Sequence, residues 1–278
     1  MLFDSHLHVV DRKSLRYPWL AGAGALNRDS LYEDYAREAL RAGISDTLHM
    51  EVDVAPADME AETDYVHGLA GRPGSLIRGA IAACRPEEDG FAAYLEKVLA
   101  DPFVKGFRRV LHVVPDDVSE GALFRENMRQ LAGTRLTFDL CVLPHQIEKA
   151  IALVDLNADV GFILDHCGVP AIKDGISDLW KSGIAEIARR PNVTVKISGV
   201  VAYADPESWT VETLRPFIEH SIASFGWDRV VWGSDWPVCT LGGGLAQWVA
   251  ATHALTAGCS ESERRRLFSD NARRIWAF

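Results

Sequence analysis

Short apolar runs alternate with longer amphipathic stretches along the whole of this chain. Most of the runs are rich in Val, Ile, Leu or Phe and stop at a polar turn, which is typical of buried β-strands. The pattern predicts eight strands, which are Leu2–His6, Ser45–Met50, Ile77–Ala83, Val104–Leu111, Leu136–Leu143, Val160–His166, Val193–Ser198 and Arg229–Ser234.

The stretches between these runs carry apolar residues at helical spacing, as Leu31 and Tyr35 do within Leu31–Ala42. The same spacing predicts further helices, which are Phe91–Leu99, Leu123–Leu131, Pro144–Val154, Ile184–Arg190 and Val211–Phe225. Ser260 and Glu263 have the spacing of a capping box and predict where the last helix begins.

Strands that alternate with helices favour parallel β/α units, and eight such units suit the ~250 residues of one (β/α)8 barrel. We therefore predict an α/β fold, a TIM barrel, with a single domain over residues 1–278. A doubly wound open sheet is the alternative, but its first strand usually leads into a glycine-rich nucleotide-binding turn. Here the first strand leads into His6 and His8 instead.

One segment, Val9–Ser30, is too long for a tight connection between a strand and the next helix. It contains Tyr17–Leu20, with two aromatic side chains, and several glycines. Long loops at the carboxyl ends of barrel strands usually build or cover the active site. We therefore predict that this loop caps the mouth of the barrel or sets its specificity.

Charge and cysteine content narrow the class of protein. The chain has 29 Lys and Arg against 39 Asp and Glu, a net charge of -10, which argues against binding to nucleic acid or to an anionic membrane surface. We expect no secretory leader, and no apolar stretch approaches the ~18 residues of a membrane helix. The five cysteines are scattered, which argues against a disulfide framework and favours a cytoplasmic location.

Side chains that bind metals or activate water stand at the predicted ends of several strands. His6 and His8 lie two residues apart and share one face of the first strand. Glu51 follows the second strand, His166 ends the sixth and Asp235 follows the eighth. Because all strand ends of a barrel meet at one mouth, we predict a single site. Each residue alone has an ordinary structural explanation, and their convergence carries the prediction.

Five residues are candidates for binding substrate. Arg108 and His112 share one strand face, and a guanidinium can bind a carboxylate at two points. Lys196 would be costly inside a barrel without a partner, and Trp236 could form an apolar wall. The structural alternatives are an ion pair for Arg108, an outward-facing Lys196 and a core position for Trp236. Glu51 could instead support a histidine, which we favour, act as a further metal ligand or form a turn.

Four segments together resemble the amidohydrolase superfamily. They are the opening hydrophobic-Asp-x-His-x-His, Leu164–Pro170 (LDHCGVP), Lys196–Gly199 (KISG) and Arg229–Pro237 (RVVWGSDWP). Within the superfamily the chain is most similar to amidohydrolase family 2, a branch with lactonases for sugar lactones and for 2-pyrone-4,6-dicarboxylate. The resemblance extends over essentially the whole chain.

The resemblance implies a distorted (β/α)8 barrel that hydrolyses a small lactone. It implies that Asp235 is the general base on water and then the acid for the leaving alcohol. It also implies that His6, His8 and His166, with Asp235, bind a divalent metal in some members and contact the substrate carbonyl in others. No residue matches the bridging lysine of binuclear members, so the resemblance implies one ion, preferably zinc, or none.

The side chains themselves suit this chemistry, because a carboxylate can activate water and zinc or imidazole can polarise an ester carbonyl. We therefore predict a hydrolase that opens a sugar-acid or carboxylated lactone. We expect this small molecule to be its binding partner, and the chain could assemble as a homo-oligomer. The alternative is a zinc-dependent decarboxylase or hydratase, which metal removal would distinguish. A catalytically silent binding barrel is a third hypothesis, and the presence of His6, His8, His166 and Asp235 disfavours it.

Overall fold

The computed structural model describes residues 1–278, and its eight strands form one parallel sheet in chain order. All eight predicted strands are present. Their bounds are β1 (Leu2–Leu7), β2 (Ile44–Met50), β3 (Ile77–Ala83), β4 (Val104–Val110), β5 (Thr137–Cys141), β6 (Gly161–Leu164), β7 (Val193–Ile197) and β8 (Val230–Trp232).

The sheet closes between its first and last strands. Just beyond β8, the backbone N–H of Asp235 donates to the carbonyl oxygen of His6 at 2.9 Å. The N–H of His8 donates to the carbonyl oxygen of Trp236 at 2.8 Å. These bonds make the chain a (β/α)8 barrel, so the predicted fold is confirmed.

Helices surround the barrel, and none of them is both long and apolar enough to cross a membrane. Their bounds are α1 (Tyr32–Arg41), α2 (Met59–Ala70), α3 (Phe91–Ala100), α4 (Ala122–Arg129), α5 (Ile147–Asp155), α6 (Asp178–Ile187), α7 (Val211–Phe225), α8 (Leu245–Leu255), α9 (Glu261–Arg265) and α10 (Asn271–Trp276). The predicted capping box at the start of α9 is present.

Three helices differ from the prediction. Two were not predicted: α2, whose buried face includes the charged Glu62, and α8, which is apolar around most of its surface. Helix α6 begins earlier than the predicted Ile184, because the hydroxyl of Ser177 accepts a hydrogen bond from the backbone N–H of Trp180 and caps the helix.

A cluster of apolar side chains fills part of the barrel interior. The inward side chains of this cluster are Phe3, Leu48, Met50, Ile81, Ile163 and Val231. Trp276 of α10 packs against them, and its indole N–H donates to the hydroxyl of Thr137 at 3.1 Å. The polar residues at the carboxyl ends therefore share the barrel interior with a closely packed apolar cluster.

Loop 9–30 folds back over the carboxyl end of β2. Val10 and Ser30 exchange backbone hydrogen bonds of 2.9 and 2.8 Å, which close the loop at its base. Its buried side chains, including Leu15 and Leu20, pack with Val52 and other residues beyond β2. These contacts make the loop a fixed part of the barrel mouth.

Gly106 provides a test of the packing between β4 and β5. A Cβ at this position would lie 2.6 Å from the carbonyl oxygen of Thr137, whereas a Cβ at Gly161 would lie 3.7 Å from the nearest atom. We expect Gly106→Ala to lower the free energy of unfolding by about 1–3 kcal/mol, because backbone must move to admit the methyl group. Gly161→Ala is the matched control and should change it by less than about 0.5 kcal/mol.

Thermal unfolding followed by circular dichroism measures this difference. For a chain of this size, Tm should fall by roughly 2–4 °C for each kcal/mol lost. Equal Tm values for the two variants would show that the β4–β5 contact is not a tight constraint.

Candidate active site

A cavity of about 680 Å³ lies at the carboxyl ends of the strands. Its polar lining includes His8, His166 and Asp235, three of the four metal ligands predicted from the sequence. Loop 9–30 contributes part of its wall, including Trp19. The fourth predicted ligand, His6, is fully buried directly behind His8 and Asp235.

A break in the alternation of β1 brings His6 into the barrel. Phe3 points into the barrel, so strict alternation would turn His6 outward. The pairing register with β2 shifts between Asp4 and Leu7, and after this shift the His6 ring faces Lys196 inside the barrel. Asp4 instead faces outward, where it accepts a hydrogen bond from the hydroxyl of Tyr35 at 2.7 Å.

The two histidines of β1 are close enough to share a ligand. Nε2 of His6 lies 3.1 Å from Nε2 of His8. Nδ1 of His8 lies 2.9 Å from the carbonyl oxygen of Met50, which can only accept, so this nitrogen carries the proton. Nε2 of His8 is thereby left with a free lone pair that faces the cavity. Burial and the nearby Arg108 lower the pKa of His8 to about 3, so the ring is neutral.

Asp235 lies three residues beyond the end of β8 and has a left-handed backbone, at φ +55°. Its Oδ1 lies 3.3 Å from Nε2 of His8 and 3.6 Å from Nε2 of His6. Its Oδ2 is buried and has no hydrogen-bond partner. Burial raises the pKa of Asp235 to about 6, although His166 and Arg108 act in the opposite direction. A carboxylate with one free oxygen and a pKa near neutrality suits general base catalysis.

His166 follows β6 in a tight turn and also has a positive φ, of +53°. Its Nδ1 lies 3.0 Å from the hydroxyl of Ser198 and 3.9 Å from Oδ2 of Asp235. Burial lowers its pKa. Gly199 lies against both side chains, and a Cβ there would stand 2.7 Å from Nδ1 of His166 and collide with Asp235. This role of Gly199 was not predicted from the sequence.

Lys196 lies beneath the histidines and does not line the cavity. Its ammonium nitrogen is 2.6 Å from Oδ2 of Asp139, 2.9 Å from Oδ1 of Asp165 and 3.2 Å from Nδ1 of His6. The structure therefore places Lys196 as a partner of His6 and not against the cavity, because the two carboxylates hold its charge within the barrel. Asp139 and Asp165 were missed, although Asp139 is conspicuous as the one charge in the apolar run Leu136–Leu143.

Arg108 lines the cavity but is already paired. Its Nε donates to a carboxylate oxygen of Glu51 at 2.6 Å, and its Nη2 donates to the Glu51 carbonyl at 2.6 Å. Glu51 supports Arg108 and not a histidine, and it does not itself line the cavity.

His112 and Trp236 lie in different surroundings. His112 lines the cavity, with Nδ1 at 3.1 Å from Sγ of Cys141. Trp236 is buried in the core, with its ring centroid 5.6 Å from that of Tyr35. Trp236 faces α1 and not the cavity, because the turn after β8 directs the next residue, Pro237, into the cavity instead.

The donor set fits one divalent ion. Nε2 of His6, Nε2 of His8 and Oδ1 of Asp235 are separated by 3.1, 3.3 and 3.6 Å. Ligands at about 2.0–2.1 Å from a tetrahedral zinc are about 3.3 Å apart, so these atoms have the spacing of three zinc ligands. His166 groups instead with His6 and Asp165, so the four predicted ligands fall into two overlapping sets that share His6.

The comparison with known sequences agrees with this geometry. The sequence profile of the amidohydrolase family matches residues 3–278. An L-fucono-1,5-lactonase from Burkholderia ambifaria is 26% identical, with 97% of this chain and 93% of that protein aligned. A 4-sulfomuconolactone hydrolase from Rhizobium radiobacter is 27% identical, with 84% of this chain and 75% of that protein aligned.

Solved structures share the fold. A Burkholderia multivorans amidohydrolase with bound zinc superposes with a TM-score of 0.89 at 24% identity, covering 100% of this chain and 99% of that one. A 2,6-dihydroxybenzoate decarboxylase superposes with a TM-score of 0.68 at 14% identity, covering 100% and 98%. At these identities the likeness shows the fold alone. The family match covers nearly every residue, and with the barrel and its His/Asp mouth it shows that this chain belongs to the amidohydrolase family and is a hydrolase.

Proposed function

We propose that this protein hydrolyses the ester bond of a small lactone and that Asp235 activates the attacking water. The observation that carries the proposal is the free Oδ2 of Asp235, buried beside the cavity with no protein partner. The names of the two relatives support lactone hydrolysis as the reaction class. Because those names refer to lactones with different substituents, they do not select among sugar-acid, carboxylated and other lactones.

In this mechanism Asp235 acts twice. Its Oδ2 accepts a proton from water as the oxygen of that water attacks the lactone carbonyl. The tetrahedral intermediate then collapses, the ring C–O bond breaks, and Asp235 returns the proton to the departing alkoxide. The product is an open-chain hydroxy acid, and the carboxylate of Asp235 is restored.

The developing negative charge on the carbonyl oxygen needs stabilisation. The guanidinium of Arg108 lines the cavity and is fixed by two hydrogen bonds to Glu51, so it is a preorganised positive group. We assign to His166 a direct contact with the substrate carbonyl, since its Nδ1 is held by Ser198 and its ring borders the cavity. A divalent ion held by His6, His8 and Asp235 would supply Lewis-acid polarisation of the same carbonyl.

The decarboxylase or hydratase alternative has less support. It would use the same histidines and Asp235, but the likeness to a decarboxylase concerns the fold, and one barrel fold hosts many reactions. Release of carbon dioxide from a carboxylated aromatic acid, without hydrolysis of any lactone, would favour it.

Asp235→Asn tests the proposed base. The amide has nearly the same shape as the carboxylate but cannot accept the proton, so we expect kcat to fall by about 10²–10⁴-fold. Acid release from a panel of lactones, read with a pH indicator, measures the loss. Asp159→Asn, at an exposed position, is the control and should retain the wild-type rate. Wild-type kcat in Asp235→Asn would remove Asp235 from the role of base.

The pKa of Asp235 predicts the acid limb of the pH profile. The base must be deprotonated, and burial raises its pKa to about 6. In metal-free protein, kcat/KM should therefore be constant above that pH and fall tenfold per unit as the pH drops below about 6. A cation bound to the carboxylate stabilises the anion, so added zinc should shift this limb to lower pH. A limb that does not move on zinc addition would show that Asp235 does not contact the ion.

His8→Gln tests the proposed metal ligands independently of activity. Loss of one of three converging ligand atoms should reduce bound zinc from about one ion per chain to a small fraction. Elemental analysis after zinc loading and desalting gives the stoichiometry. His67→Gln on the exposed side of α2 is the control and should keep the wild-type content. Equal zinc content in both variants would place the ion elsewhere.

A further inference from the structure

We propose that the lactone carries an uncharged hydrocarbon substituent that packs against an apolar wall of the cavity. This inference rests on the proposed lactonase function and names the class of substrate within it. The wall consists of Val10, Trp19, Leu26, Val54, Val113 and Val238.

The cavity is lined by both polar and apolar side chains. The apolar wall is built by four loops, which follow β1, β2, β4 and β8. The polar residues His8, His166, Asp235 and Tyr203 line the part where the reaction is proposed to occur. A ligand that fits both parts has a polar reacting group at one end and hydrocarbon at the other.

The wall offers no hydrogen bonds from its side chains. Its indole N–H, on Trp19, already donates to the carbonyl oxygen of Val52 at 2.8 Å, so the ring can present only carbon to a ligand. The other five side chains are aliphatic. Hydroxyl groups of a sugar lactone placed against this wall would lose water without gaining partners, which lowers affinity.

Two members of the wall remain in contact with solvent. Val113 is 59% exposed and Trp19 is 36% exposed, and both are among the few large apolar side chains of the chain with such exposure. A hydrocarbon group that covers them removes apolar surface from water on both partners, which favours binding.

Each guanidinium group that lines the cavity is already ion-paired with a carboxylate. Arg108 pairs with Glu51 at 2.6 Å, and Arg85 pairs with Asp53 at 3.2 Å. The third guanidinium, of Arg109, pairs with Glu87 at 2.7 Å. A carboxylate or sulfonate on the lactone would therefore meet paired charges, and the structure does not favour the anion clamp that the sequence predicted for Arg108.

The volume also favours a substituent. At about 680 Å³ the cavity lies within the ~300–1,000 Å³ range of sites for drug-sized ligands. A single lactone ring would leave the apolar wall uncovered.

The test compares six-membered lactones that differ only in their side chain. With δ-valerolactone, δ-octalactone and δ-decalactone, we expect kcat/KM to rise with each added methylene, by up to about fourfold where the group is fully buried. We expect gluconolactone and 2-pyrone-4,6-dicarboxylate to be poorer substrates than δ-decalactone.

A pair of variants locates the effect. Val113→Asp introduces a charge at an exposed position of the wall, and it should lower the ratio of kcat/KM for δ-decalactone over δ-valerolactone by about tenfold or more. Leu179→Asp, at a similarly exposed leucine on α6, is the matched control and should leave that ratio unchanged. Val113→Leu should retain or increase the ratio, because it keeps the surface apolar.

The outcomes separate the inference from the function on which it rests. Lactone hydrolysis that is independent of chain length, or that favours gluconolactone or the dicarboxylate, overturns the inference and keeps the lactonase. Binding of 2-pentyltetrahydropyran, which has no ester bond, is measured in parallel by calorimetry. Tighter binding of this compound than of tetrahydropyran supports the inference that the wall binds hydrocarbon. If it binds more tightly but no lactone is hydrolysed, only the proposed function fails. Equal affinities for the two compounds would overturn the inference that the wall binds hydrocarbon.

Discussion

The ammonium group of Lys196, enclosed in the barrel, is the constraint on which the site depends. Burial opposes its charge, but Asp139 and Asp165 outweigh that effect and raise its pKa. The pair formed with Asp165 also holds the pKa of that carboxyl well below its ordinary value. These contacts join β5, β7 and the turn after β6, and through His6 they reach β1. An uncompensated charge here would be strongly destabilising, so the four groups depend on one another.

The same contacts influence which nitrogen of His6 carries a proton, and they act in opposite directions. Lys196 can only donate, so its contact with Nδ1 favours a proton on Nε2, which then points at the lone pair of His8. Asp165, 3.5 Å from the same Nδ1, can only accept and favours a proton there, which frees Nε2 for a metal. One arrangement suits direct contact with substrate and the other suits an ion. The opposed positions of Lys196 and Asp165 therefore leave His6 able to adopt either arrangement.

Much of this architecture could be predicted from the sequence, because alternation and strand ends are local patterns. Barrel closure predicted that the strand ends carrying His6, His8 and Asp235 are neighbours. The pairing of Arg108 with Glu51 could not be predicted, since it joins residues 57 positions apart and depends on the register of neighbouring strands. The irregularity of β1 could not be predicted either, and without it His6 would face the helices.

The groups proposed for the reaction and the wall proposed to select the substrate come from different parts of this fold. The groups proposed to react with the lactone are fixed by strand ends and by contacts with one another, as between Asp235 and His8. The apolar wall is held mainly by loops, and loop 9–30 is anchored by Arg16, whose guanidinium pairs with Asp58. Changes in the wall can therefore alter which lactone fits without moving the base or its histidines.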